Sequence, residues 1–300
     1  MGISAAPTGD DPWAADPEAL LLLTLEVGRD EPRLFDEVFD WLVVNERLLS
    51  VQRLRNLCVD EADRALVGAT LAAAGRLRKR QRFQGERPVA REAPPQLFYR
   101  RLSPRVDEPD PAFSEFGFLK PLGEFQGRSG SPDMSAPINF AFRLRSLLGV
   151  GARAEVVRVL LGGQAPHHSV AALAASTGYA KRNVQEALAG LRAAGVVETS
   201  TIGNEQRVSV PLERWAALLE VERLPEHVDW PQMFSALRLL LRWLQDPAKE
   251  ELTEYMLASE ARLLLESVAP DLYFAGMRVD VAGSPGAAYW EHFANVVDSL

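Results

Sequence analysis

The hydrophobic period of the chain changes at Gly195, and no other feature limits the fold as much. Before it, Val184, Leu188 and Leu191 recur at i, i+4 and i+7 in "YAKRNVQEALAGLRAAGVV", the spacing of one buried helix face. After it, "VVETSTIGNEQRVSV" alternates on both sides of Gly203–Asn204, the pattern of two strands and a tight turn. Three more helices are predicted ahead of this pair. Phe140–Leu148 ends at Gly149, and Arg153–Leu161 ends at Gly162–Gly163. "VAALAASTG" starts behind Ser169, a residue suited to cap free helix N–H groups. Residues 139–211 therefore read as four helices and a hairpin.

The flanks read as helical. Residues 1–16 are acidic and are expected to form a disordered tail. Residues 17–78 hold an apolar run at Ala19–Leu25, an amphipathic "RLFDEVFDWLVV" opened by Pro32, and helices at Val51–Leu57 and Glu61–Leu77. They predict an N-terminal helical domain. Between residues 76 and 105, ten arginines and lysines stand against Glu86 and Glu92, a local charge of +8, and prolines interrupt any period. Residues 79–138 are accordingly expected to be a basic, Pro/Gly-rich linker or arm, with Phe113, Phe116, Phe118 and Phe125 packing along a surface. Residues 212–300 are expected to form a C-terminal helical domain. It comprises "LERWAALLEV" after Pro211, "QMFSALRLLLRWLQ" after Pro231, a long helix at Glu250–Val268, an extended "LYFAGMRVDV", and a last helix at Ala287–Ser299. Trp215, Trp230, Trp243 and Trp290 are expected to fill helical cores.

Composition closes off several functions. A net charge of −8 argues against a protein that coats nucleic acid non-specifically, because such binding runs on a basic surface. It leaves room for a local basic reading head. Cys58 is the single cysteine, and His167, His168, His227 and His292 have no metal-ligand spacing, so neither a disulfide nor a metal site is expected. The adjacent His167 and His168 are expected in an exposed loop. No run approaches the roughly 20 apolar residues of a membrane span, and no signal-peptide core is seen. "MGIS" carries Ala6 where N-myristoylation prefers Ser or Thr. A cytoplasmic location and no membrane partner are expected.

Catalytic patterns are missing as well. "GVGARA" at Gly149–Ala154 has the glycine spacing of a dinucleotide loop, but no strand precedes it, so it reads as one helix ending and another beginning. "GRSGS" at Gly127–Ser131 lacks the lysine of a phosphate loop. Neither a cofactor nor an enzymatic role is expected.

Residues 152–211 resemble the winged helix-turn-helix of bacterial transcriptional regulators of the MarR and ArsR kind. "SVAALAASTG" is similar to the first helix of that motif, with Gly178 at its tight turn. The helix at 180–194 resembles its recognition helix, and "ETSTIGNEQRVSV", within 196–210, its wing. The resemblance covers about a fifth of the chain. It implies a mainly α fold, with a central winged helix-turn-helix and its β-hairpin wing flanked by N-terminal and C-terminal helical regions. Two positions depart from the pattern. Ala180 stands where the family usually has a capping Ser or Thr, and Glu186 where a basic residue is common.

The resemblance implies double-stranded DNA as partner. A helix fits the major groove with its N-terminal residues on base edges. Lys181, Arg182 and Gln185 point outward near the helix start, where Lys or Arg addresses guanine and Gln adenine. Asn183 either reads a base or supports the turn. Thr177 and Tyr179 either contact phosphate oxygens or pack the turn. Asn204 and Arg207 lie on the wing, placed for minor-groove or phosphate contact, with Glu198 and Glu205 as the competing partners of Arg207. Six basic against four acidic residues across 152–211 leave only +2, so a homodimer reading a palindrome is expected. The expected function is a sequence-specific, DNA-binding transcriptional regulator, a repressor, with room for a protein partner or small-molecule effector. The alternative is a protein-interaction or antitoxin-like scaffold, whose winged helix serves dimerisation or partner binding. The overall acidity and Glu186 favour that alternative.

Overall fold

The computed structural model describes residues 13–78, 94–101, 106–123, 125–163, 168–202, 205–283 and 286–300. Over these residues the chain is mainly helical, with a three-stranded antiparallel sheet and a short parallel ladder. It divides into a first unit ending at His227 and a second running from Val228 to Leu300.

The first unit opens with α1 (Pro17–Val27), α2 (Pro32–Asn45), α3 (Val51–Asn56) and α4 (Glu61–Arg78). Proline stands at the start of α1 and α2, where its missing N–H is no loss. Asp16 caps α1 through Ala19 N, and Ser50 caps α3 through Arg53 N. Their apolar faces close on Leu22, Leu25, Phe35, Leu42 and Leu66.

Several described residues of the expected linker join this core. β1 (Gln96–Leu97) pairs in parallel with β2 (Phe118–Leu119), and α5 (Pro111–Glu115) lies between them in sequence. Phe98, Phe113 and Phe118 are buried, and edge-to-face contacts at 4.8–5.9 Å tie them and Phe35 together. Phe116 lies so close to Gly68 of α4 that a methyl there would meet its ring at 2.3 Å. Lys120 is buried too, its ammonium 5.3 Å from the ring centres of Phe35 and Phe113. The described arginines of the basic stretch turn back on acidic helices. Arg76 pairs with Glu115 at 2.5 Å, and Arg100 with Glu26 and Asp30. Asp40, on α2, accepts from the backbone of Gly127 and Ser129. The described segments 94–101, 106–123 and 125–138 thus wrap over aromatic anchors, while residues 79–93 and 102–105, which hold most of the basic charge of the expected arm, lie outside the described residues. Of the expected tail, residues 13–16 are placed and Asp16 is fully buried, and residues 1–12 lie outside the described residues.

A second core follows in the same unit. It is built by α6 (Phe140–Leu148), α7 (Ala152–Gly162), α8 (Val170–Thr177), α9 (Lys181–Ala193) and α10 (Leu212–Leu219), with β3 (His168–Ser169), β4 (Glu198–Ile202) and β5 (Glu205–Ser209). The "GVGARA" stretch is the α6 terminus, with Gly149 at φ +82°, followed by the start of α7. Strand order is β3-β5-β4, all antiparallel. His168 belongs to β3 and is half-buried, which corrects the exposed-loop expectation; His167 lies outside the described residues. On α10, Trp215 and Leu219 are buried in this core, and Trp215 Nε1 donates to Val196 O at 3.1 Å. The boundary expected at 212 therefore falls after His227.

The second unit comprises α11 (Trp230–Leu244), α12 (Glu254–Phe274) and α13 (Tyr289–Asp298). Thr253 caps α12 through Met256 N. The helix runs through Pro270 to Phe274, so "LYF" is helical rather than extended. Val268 and Leu272, four apart, are both fully buried, and their packing outweighs the hydrogen bond that Pro270 cannot donate. Trp243 packs on Phe293 at 5.4 Å, whereas Trp290 is 36% exposed and lies at the surface. Among the described residues no helix is long and apolar enough to cross a membrane.

Candidate nucleic-acid interface

α9 buries Val184, Ala187, Leu188 and Leu191 and turns its other side to solvent. Lys181, Arg182 and Gln185 are exposed, as their spacing predicts, and Asn183 is half-buried. Ala189, Arg192 and Ala193 extend the exposed surface. Ala180 supplies no side-chain cap, and no acidic residue lies in the first turn of α9. Its leading N–H groups and partial positive charge therefore stay open to an anion beside Lys181 and Arg182. Arg182 is held by Glu186 one turn on, at 3.0 Å, with both side chains well exposed. Exposed pairs of this kind break at little cost. Arg207 sits on β5 in register with Ser200 of β4 and Ser169 of β3, half-buried. Asn204 lies outside the described residues.

The turn before α9 corrects two expectations. Thr177 has no exposed surface, and its hydroxyl donates to Leu173 O at 2.7 Å. Tyr179 is buried with its hydroxyl on Ser50 Oγ at 2.8 Å. Both side chains face protein, so neither is offered to a phosphate. The covering element is α3. Arg53 Nε donates to Thr177 O at 2.5 Å, and Asn56 Nδ2 to Gly178 O at 3.1 Å. Gly178 adopts φ +70°, and a methyl there would stand 2.8 Å from Leu57 Cδ2. The start of α9 is thus gripped from the N-terminal helices.

Behind this grip lies a closed ring of six charges that the sequence reading missed. Arg53 pairs with Asp16 at 2.5 Å and Glu18 at 2.8 Å. Arg145 pairs with Glu18 at 2.6 Å and Glu155 at 2.7 Å. Arg158 closes the ring on Glu155 at 2.8 Å and Asp16 at 2.9 Å. All six are buried, and their charges cancel. Burial works to raise the pKa of Asp16 and Glu155, but the surrounding arginines outweigh it and hold both below the usual carboxylate range. Burial works to lower Arg53 and Arg145, and the facing carboxylates hold both above the usual value. His227 Nδ1 lies 3.4 Å from Arg158. Burial, then the Arg158 charge, pushes His227 down to about 3, so its ring is neutral at pH 7. The ring joins α3 and the start of α1 to α6 and α7, and α7 is one of the helices on which α9 packs.

Arg153, one of the six basic residues of 152–211, is a further surface cation beside α9. It is exposed, and its guanidinium lies against Gly190 of α9, 3.4 Å from where a Cβ would stand. Comparison with protein-family models, curated proteins and solved structures finds nothing that matches this chain.

Proposed function

We propose that the first unit binds double-stranded DNA as a winged helix-turn-helix, with α9 in the major groove and the β4–β5 hairpin as its wing, and that the protein is a homodimeric, sequence-specific transcriptional regulator. Simple occupancy of an operator would make it a repressor. The single observation that carries this reading is the exposed edge of α9. It presents Lys181, Arg182 and Gln185 beside an uncapped helix start, on a helix whose opposite face is buried. In this reading Lys181 and Gln185 reach base edges, while Arg182 exchanges Glu186 for a phosphate or a guanine. The small Ala189 and Ala193 let the helix come close to the groove, and Arg207 and Arg153 add backbone contacts. Gripping the turn before α9 fixes its approach angle and limits the entropy lost on binding.

The test is charge reversal. Lys181→Glu with Arg182→Glu should lower affinity for an operator at least a hundredfold while leaving the melting temperature unchanged, since both side chains are exposed. Operator binding at wild-type strength in that double variant would remove α9 from the interface.

The Arg182–Glu186 pair and the charge of −8 support a second reading, a protein-binding scaffold with the same surface. A partner that shields Lys181 and Arg182 from chemical labelling, together with no DNA affinity at low salt, would favour it.

A further inference from the structure

The second unit leaves one side of α12 bare. Ala258, Ala261, Leu265, Val268 and Leu272 face its core. On the opposite side Met256, Leu263 and Pro270 recur every seventh residue, flanked by Tyr255, Tyr273 and Phe274, and all six are exposed. At 100° per residue these positions fall within one stripe about 100° wide. Tyr255, Leu263, Tyr273 and Phe274 are 59–70% exposed and Met256 is 49%. A large side chain presents on the order of 200 Å², so these five alone offer about 600 Å² of mostly apolar surface. That is at the upper end of what a monomer leaves bare, and most of the roughly 800 Å² that each partner brings to a stable interface.

We infer that this stripe is the homodimer interface, occupied by α12 of a second copy running antiparallel across a two-fold axis. Two features of the stripe select a second copy. The first is shape. An isologous interface must carry a projection and its own receptor on one face. Tyr255 and Met256 project at one end of α12. At the other end, Pro270, Phe274, Val279 and Val281 border an open apolar groove of about 720 Å³. The second is charge. Placing Tyr255 against the partner's Tyr273 also sets Arg262, whose guanidinium lies over the Tyr289 ring and donates to Gly283 O, opposite the partner's Glu266, and the two-fold repeats that juxtaposition. A parallel arrangement would instead set Glu266 against its own copy. The inference deepens the homodimer of the DNA reading by naming its surface.

Sedimentation velocity on the full chain at about 10 μM, without DNA, tests it. The wild type should sediment as a dimer. Leu263→Glu with Phe274→Glu should sediment as a monomer with unchanged circular dichroism and melting temperature, because both side chains lie outside the core. Glu266→Arg should weaken the dimer at least tenfold by setting like charges opposite each other. A monomeric wild type at 100 μM would overturn the inference and leave the stripe to another protein. So would a dimer of wild-type strength in the double variant. A dimer held by this face but without DNA affinity would keep the inference and sink the DNA reading, so the two failures are distinct.

Discussion

Arg53 ties α3 to two distant parts of the first unit with a side chain that has no exposed surface. It binds Asp16 ahead of α1, Glu18 within it, and the Thr177 carbonyl before α9. Arg53→Met would remove one of the two arginines that face each of Asp16 and Glu18, leaving the buried ring with a net charge of −1, while filling the space. The expected cost is about 3–5 kcal/mol, the price of an uncompensated buried charge, measured by urea unfolding. By contrast, Lys181 should be replaceable within about 0.5 kcal/mol of stability, since it is an exposed surface side chain. Sequence could show only part of this. "ARAEVVRVLL" places Glu155 and Arg158 three apart in an otherwise apolar helix, which is a trace of a buried pair. Their other partners lie 10 to 142 residues away, and periodicity marks the side on which a charge sits, not what meets it.

At the scale of elements, long periodic segments were legible and short or aromatic ones were not. α2, α4, α9 and the β4–β5 pair follow from spacing because one apolar face dictates each. β3 is two residues long and has no period to read. The core function of the described residues in 94–138 is hidden because their anchors, Phe98, Phe113, Phe116 and Phe118, lie on a five-residue helix, a two-residue strand and the turns beside them, all too short to show a period. At Thr177 and Tyr179 the choice between phosphate contact and packing is open in the sequence for a related reason: a turn between helices looks exposed until another element covers it. That cover gives a test. Gly178→Ala forces a non-glycine residue to φ +70° and into Leu57, and should cost more than the roughly 1–2 kcal/mol of the backbone conformation alone. Adding Leu57→Ala should make the two losses less than additive in a double-mutant cycle. Strict additivity would mean that α3 does not seat on this turn.

At the scale of the whole molecule, acid should act on the join within the first unit. His227 is held down to about 3 in the folded protein against an ordinary value of 6.5. Its stabilising contribution is therefore full above about pH 6.5 and falls as the pH drops from there towards 3. Asp16 and Glu155, also lowered, add a further loss of the same sign at lower pH, below their ordinary values of 3.8 and 4.5. Calorimetry should find the first unit's stability level above pH 7 and declining below 6.5, with His227→Phe removing the decline between 6.5 and about 5. A wild-type profile flat down to pH 5 would contradict the neutral His227.

The net charge of −8 makes DNA binding the sharpest demand on the account, because a small basic edge must prevail over a repelling body. Fluorescence anisotropy of the purified protein on its own upstream DNA, across a salt series and with non-specific competitor, measures that directly. The account predicts tight binding that survives competitor, with log affinity falling linearly in log salt and a slope that shrinks when Lys181 is replaced. No binding at low salt would contradict it and assign the exposed edge of α9 to a protein partner.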